Sequence, residues 1–208
     1  MRTVVYIDGF NLYYGCLKGT PYKWVNLKEL CKNILGEQNN IVTIKYFTAI
    51  VKPTQDNPSV AQRQQAYLRA LEKYIPEIKI HYGHFLRHRV RMANVSPPPK
   101  TLEVFKTEEK GSDVNLATQL LNDAWLNNFD CAVVISNDSD MAESMRLIKV
   151  HHPQKVIGLI TPGKKIRTSE QLRKHANFVR KITNTILKKS LLPDPIPNTN
   201  LRKPSDWV

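Results

Sequence analysis

This chain is short of cysteine, of acidic residues and of long apolar runs, and each shortage excludes a class of protein. Its three cysteines, Cys16, Cys31 and Cys131, are odd in number, widely spaced and free of any C-x-x-C pattern. Neither a disulfide framework nor a cysteine zinc site is therefore expected, and a reducing, cytoplasmic setting fits best. No stretch approaches the roughly 18 apolar residues a spanning helix needs. The first apolar run meets Asp8 too early for a signal-peptide core. No G-x-G-x-x-G follows that run, so a dinucleotide cofactor has no support.

Acid is the most telling shortage. Eighteen Asp and Glu stand against 31 Lys and Arg, which leaves +13 and a pI near 9.7. Such a field favours a polyanionic partner. Nucleic acid leads and an anionic membrane surface follows. The expected partner is RNA, with DNA admissible and no membrane.

At 208 residues, 41% of them hydrophobic, the chain suits one well-cored domain. We place that domain at residues 1–190 and a Pro-rich tail at 191–208, with Trp207 as its anchor. Residues 3–8 form a β-branched run that reads as a buried strand. Asn26 caps an expected helix from Leu27 to Leu35, stopped by Gly36. A strand over Ile41–Val51 follows, then a helix opened by Pro58 and closed by Pro76. The segment Ile78–Val95 alternates, with Arg87, Arg89 and Arg91 on one side, and Thr101–Thr107 is its expected partner in a basic hairpin. Ser112 is expected to cap the next helix. Cys131–Ser136 reads as a buried strand, Ser139–Val150 as a helix, Lys155–Ile160 as a strand, Glu170–Lys174 as a short helix and Phe178–Ile182 as a last strand. Strands alternating with helices indicate an α/β fold built on a parallel, helix-flanked sheet.

Within that frame the scarce acids fall in revealing places. Asp8 ends the first run, Asp113 follows Lys110-Gly111-Ser112, and Asp138 and Asp140 follow Val133-Val134-Ile135-Ser136-Asn137. Ligands of an open α/β sheet collect at the carboxyl ends of its strands, so acids at two strand ends can converge there. Converging carboxylates suit Mg²⁺ or Mn²⁺, hard ions that take oxygen ligands and assist phosphodiester hydrolysis. Helix capping is the competing account for Asp113, Asp138 and Asp140, the last with Glu143 three residues on as in a capping box. Capping gives no reason for Asp8.

Asp8-Gly9-Phe10-Asn11, Lys110-Gly111-Ser112-Asp113-Val114-Asn115-Leu116-Ala117 and Ser136-Asn137-Asp138-Ser139-Asp140 together resemble the three signature blocks of the NYN domain family, in its LabA-like branch of the PIN-like nucleases. The resemblance spans residues 3–182. It implies a PIN-like three-layer sandwich around a mainly parallel sheet, here with a basic β-hairpin inserted, Mg²⁺ or Mn²⁺ dependence, and ribonuclease activity. It carries over Asp8, Asp113, Asp138 and Asp140 as metal-site acids, with Asn11 orienting the site. Asn137 stands where members of the family often have glycine.

Other motifs carry less. Gly158–Lys165 falls one residue short of a phosphate-binding loop, and Lys164, Lys165 and Arg167 read instead as a loop that meets a phosphate backbone or as solvated surface. An aspartyl-phosphate enzyme would carry a second acid where this chain has Phe10. His81 and His84 fall on opposite faces of a strand, so they and His88 read as scattered surface residues. Arg87, Arg89 and Arg91, with Lys110 at the end of the hairpin, are the expected grip on nucleic acid, beside Tyr82 or Phe85 as stacking rings. The competing account is an edge strand kept from aggregating by its charge. An exposed hairpin also offers a surface for a homodimer. Two functions result: a metal-dependent endoribonuclease, or a catalytically silent module of the same fold that binds RNA or a protein.

Overall fold

A computed structural model describes residues 1–163 and 166–207. Among the described residues the strands are β1 (Arg2–Asp8), β2 (Asn40–Thr48), β3 (Ile78–Tyr82), β4 (His84–Ala93), β5 (Thr101–Lys110), β6 (Cys131–Ile135), β7 (Val156–Thr161) and β8 (Phe178–Lys181). The helices are α1 (Gly9–Leu12), α2 (Leu27–Leu35), α3 (Val60–Tyr74), α4 (Ser112–Trp125), α5 (Ala142–His151), α6 (Glu170–His175) and α7 (Asn184–Lys189). Six strands form one parallel sheet in the order β3-β2-β1-β6-β7-β8, and β4 and β5 form a separate antiparallel ribbon. Chain order reverses between β1 and β6, which makes their carboxyl ends the crevice where such sheets bind ligands.

The apolar runs form central strands because both faces of the sheet are covered. Val5 and Ile7 of β1 join Val133 and Ile135 of β6 in a core with α2, α3 and α7. Val4 and Tyr6 join Ala132 and Val134 in a second core with α4, α5 and α6. Asn26 caps α2 as expected, its side-chain oxygen accepting the amides of Lys28 and Glu29 at 3.1 Å each. The tail packs on the first core: Leu192 and Ile196 are buried, and Trp24 Nε1 donates to the Pro193 carbonyl at 3.0 Å. No helix among the described residues is long and apolar enough to cross a membrane.

Several local expectations need correction. The alternating segment from Ile78 is two strands in two sheets, β3 and β4, separated at Gly83. A Cβ on Gly83 would lie 2.6 Å from the Lys110 carbonyl oxygen and 2.9 Å from the Ser112 nitrogen, so glycine is what lets the base of the ribbon close. Ser112 does not cap α4 but is its first residue. Gly111 stands before it at φ +95°, and the Glu109 carboxylate accepts both the Ser112 amide (3.1 Å) and hydroxyl (2.7 Å). The helix expected from Ser139 begins as a 3-10 turn, Ser139–Met141, and Asp138 rather than Asp140 caps it. Gly158 lies inside β7 against the Phe178 ring, so the loop-like glycine spacing there is part of a strand. His81 is only partly exposed, its ring stacked on Phe47 with centroids 4.8 Å apart.

Candidate active site

Asp8 closes β1 and is 4% exposed. Contrary to the expectation that capping has no part in it, Asp8 is the N-cap of α1: one of its oxygens accepts the Asn11 amide at 2.9 Å, and the other accepts the Ser136 hydroxyl at 3.0 Å, from the residue that follows β6. Ser136 Oγ in turn accepts the Asp138 amide at 3.0 Å, and Asn11 Oδ1 accepts the Asn137 amide at 3.1 Å. The ends of the two neighbouring strands are thus tied together by side chains of the signature segments. Burial raises the Asp8 carboxyl above the usual range, partly offset by these hydrogen bonds, and the Asp138 charge raises it further.

Asp113 reaches the same place from the first turn of α4, delivered there by the returning strand of the ribbon. Its carboxyl is pushed up to about 6, first by burial and then by the charges of Asp8, Asp138, Glu109 and Asp140. All four sequence-identified aspartates therefore share one field, and Glu109 joins them as an acid the sequence reading missed. Ser136 was missed as well, although it lies inside the third signature block. A hydroxyl between two acids carries no sequence signal of its own.

Among the described residues no three acidic, histidine or cysteine side chains form a ready-made metal cage. The donor set nevertheless fits Mg²⁺ or Mn²⁺. It is made of oxygens, its charges repel one another in the absence of a cation, and such ions are commonly held by one or two carboxylates with the remaining positions filled by water.

Burial of the Asp113 carboxyl, and the repulsion added to it, have a measurable cost. Because the Asp113 carboxyl titrates higher in the folded protein than in the unfolded chain, ionising it destabilises the fold as pH rises from about 4 through about 6. Without divalent ions, Asp113→Asn should stabilise the protein at pH 7 by about 1 kcal/mol, allowing for solvent screening of a half-exposed group. The gain should vanish below pH 4. A variant that melts lower than wild type at pH 7 in EDTA would contradict the shared field.

Beside the acids runs the ribbon. Arg87, Arg89 and Arg91 share one face of β4 with Phe85, whose ring meets Phe10 edge-on with centroids 5.8 Å apart. Phe85 thus anchors the ribbon and is not a free stacking ring. The exposed ring is Phe105, opposite Arg89 in register and 59% exposed, with the Arg87 and Arg89 guanidiniums 4.4 and 5.6 Å from its centroid. Tyr82 is also exposed but lies on β3. Lys110 ends the ribbon and lies 3.6 Å from Glu108. On the other flank, Asn137 donates to the Arg167 carbonyl at 3.1 Å and accepts the Ser169 amide at 2.8 Å. This fastens a loop whose Arg167 side chain is 88% exposed. Lys164 and Lys165 lie outside the described residues.

Comparison with known proteins agrees with this architecture. The crystal structure of a protein of unknown function from Vibrio parahaemolyticus shares the fold, with a TM-score of 0.54 at 19% identity over 92% of this chain and 96% of that one. The 6-hydroxy-3-succinoylpyridine 3-monooxygenase of Pseudomonas putida is 34% identical over 236 aligned positions, covering all of this chain and 75% of that protein. The NYN domain profile matches residues 2–183, which takes in β1, the ribbon, α4 and the parallel sheet through β8. By that match the chain belongs to the NYN domain family.

Proposed function

We propose that this protein is a Mg²⁺- or Mn²⁺-dependent nuclease that hydrolyses phosphodiester bonds, most of all as an endoribonuclease on single-stranded or structured RNA. The observation that carries the reading is the convergence of acids at the β1–β6 crevice, where Ser136 bonds both Asp8 and the Asp138 amide and where Asp113 feels the charges of Asp8, Asp138 and Asp140. Asp8, Asp113, Asp138 and Asp140 would supply the carboxylates around the ion, one or two of them bonding it directly and water filling the other positions. When bound, the ion supplies Lewis-acid polarisation of the phosphoryl group and activation of water. The protein's own contribution is positional. Ser136 and Asn11 hold Asp8 in one orientation, and Asp138 is held by its own amide's bond to Ser136 Oγ. Arg87, Arg89 and Arg91 track the phosphates of a strand laid along the ribbon, Phe105 offers a face for a base, and Arg167 and Lys110 flank the acids.

The test is cleavage of labelled single-stranded RNA with Mn²⁺, compared with EDTA and with Asp8→Asn. Binding without cleavage in every condition would instead favour a catalytically silent RNA-binding member of the family. Replacing Arg87, Arg89 and Arg91 together by Gln should flatten the slope of log affinity against log salt by about 2, at ~0.7 per phosphate contact on a single strand. An unchanged slope would assign the arginines to keeping an exposed strand soluble. The relative from Pseudomonas putida, 34% identical across this whole chain, supports a second reading: action on a hydroxylated pyridine. Loss of 6-hydroxy-3-succinoylpyridine on incubation with the protein in air and with a two-electron reductant such as a reduced nicotinamide, and no RNA cleavage, would favour it.

A further inference from the structure

A cavity of about 370 Å³ lies on the α3 side of the sheet, beside the acidic crevice, and none of the proposed chemistry uses it. Its volume falls in the ~300–1,000 Å³ range of small-ligand sites. Gly9, the residue after Asp8, is part of its wall. A Cβ on Gly9 would lie 2.7 Å from the Tyr46 hydroxyl, so the cavity floor comes up directly beneath the start of α1. The charge of Asp8 is felt there: it adds to burial in raising the Tyr46 phenol.

Three features state what the cavity would accept. Its walls are rings, with Phe10, Tyr13 and Tyr14 on one side and Trp207 on another. Its rim is cationic, with Lys18, Lys23 and Arg63. Its lining also carries the Tyr46 hydroxyl, a polar atom that the edge of a base can bond.

The chain itself illustrates the preferred chemistry. Asp206 places a carboxylate on Arg63 at 3.0 Å, and the adjacent Trp207 sets its ring against Tyr67 and Trp24, with centroids 5.8 and 6.3 Å apart. An anion joined to a planar ring is what this wall holds. A nucleotide has both parts, and the cavity wall at Gly9 adjoins Asp8 in the chain.

We propose that this cavity is a nucleotide subsite, in which a base lies among the rings and bonds the Tyr46 hydroxyl while its phosphate displaces Asp206 from Arg63. The choice of nucleotide rests on the nuclease reading; the cavity and its chemistry do not. Bases stack on any aromatic face, so the rings confer affinity and the floor hydroxyl selects among base edges.

The experiment measures quenching of tryptophan fluorescence in the full chain by uridine and adenosine 5′-monophosphate, in EDTA so that no metal ion takes part. At least one nucleotide should bind. Arg63→Gln should weaken it about tenfold, the loss of a charge-assisted hydrogen bond, and Tyr46→Phe about threefold, the loss of a neutral one. Asp206→Asn should tighten binding by removing a competing carboxylate, a gain that a merely structural role for the tail would not produce. The proposal is overturned if neither nucleotide binds, if the three variants leave binding unchanged, or if benzoate binds and both nucleotides do not. RNA cleavage that survives such a result would leave the nuclease reading standing without this subsite. Nucleotide binding in a protein that cuts no RNA would leave the subsite standing without the nuclease.

Discussion

Asp8→Asn is expected to reduce Mn²⁺-dependent RNA cleavage about a thousandfold while leaving RNA binding nearly unchanged. A metal ion that polarises a phosphoryl oxygen contributes several kcal/mol to the transition state, and each ~1.4 kcal/mol is tenfold in rate. The replacement keeps the shape of the side chain and one carbonyl oxygen, so it can still accept from the Asn11 amide or the Ser136 hydroxyl. What it removes is the charge of a carboxylate that is 4% exposed at the β1–β6 crevice. The arginine face of the ribbon is untouched, so affinity should persist. Burial raises the Asp8 carboxyl, which means its ionised form costs stability in the metal-free fold, and the variant should melt no lower than wild type in EDTA. That combination separates a lost active-site charge from a damaged protein. Equal cleavage by variant and wild type would remove Asp8 from the proposed chemistry. A large fall in melting temperature would show that its hydrogen bonds, not its charge, are its role.

The largest effect on stability should come from another acid, Asp123 of α4, which the sequence did not single out. Its carboxylate accepts the Tyr6 hydroxyl at 2.5 Å, meets the Lys45 ammonium at 2.7 Å and accepts the Asn128 amide at 3.0 Å. Lys45 also donates to Gln119 at 2.7 Å. Burial opposes ionisation of Asp123, but the bonds from Lys45, Tyr6 and Asn128 and the Lys45 charge outweigh it and hold the carboxyl below its usual range. The network joins α4 to β1 and β2, so it seats the helix whose first turn carries Asp113. Asp123→Asn leaves a buried ammonium without its counter-charge, and breaking a buried pair on one side costs about 3–5 kcal/mol. At roughly 2–4 °C per kcal/mol for a chain of this size, melting should fall by about 10 °C. Replacing both partners, as in Lys45→Met with Asp123→Leu, should recover much of that loss. A double variant as unstable as the sum of the single ones would show that the two charges act independently. The pH dependence follows from the sign of the shift. A carboxyl held low in the fold stabilises above its unfolded pKa and loses that contribution as pH falls through the folded one, so this network should fail only below about pH 4.

Much of the architecture was legible in local pattern. Val4-Val5-Tyr6-Ile7 and Cys131-Ala132-Val133-Val134-Ile135 have no polar alternation, and such runs are stable only with helices on both faces. Asn26 and Gly36 mark the ends of α2 by backbone chemistry that neighbouring residues suffice to define. Where an element's end depends on distant contacts, the pattern misleads. The alternation from Ile78 continues through Gly83 because period 2 is blind to which sheet a strand joins, and only the packing of Gly83 under Lys110 and Ser112 divides it. Ser112 has the right residue type for a cap, but Glu109, three residues earlier, competes for its amide once Gly111 turns the chain.

The site divides along the same line. Sequence alone determined that this is an α/β chain of strong positive charge whose few well-placed acids stand at strand and helix ends, because period, charge and turn chemistry act between near neighbours. Tertiary structure decided that Asp8, Asp113, Asp138 and Asp140 share one field, that Ser136 and Glu109 belong with them, that Phe105 rather than Phe85 is the exposed ring beside the arginines, and that a ring-lined cavity adjoins the acids. Each of those depends on residues tens to more than a hundred positions apart being brought together by parallel pairing of β1 with β6 and by the return of the ribbon into α4. Electrostatic repulsion, burial and stacking arise only at those distances in space, and nothing in the spacing along the chain encodes them.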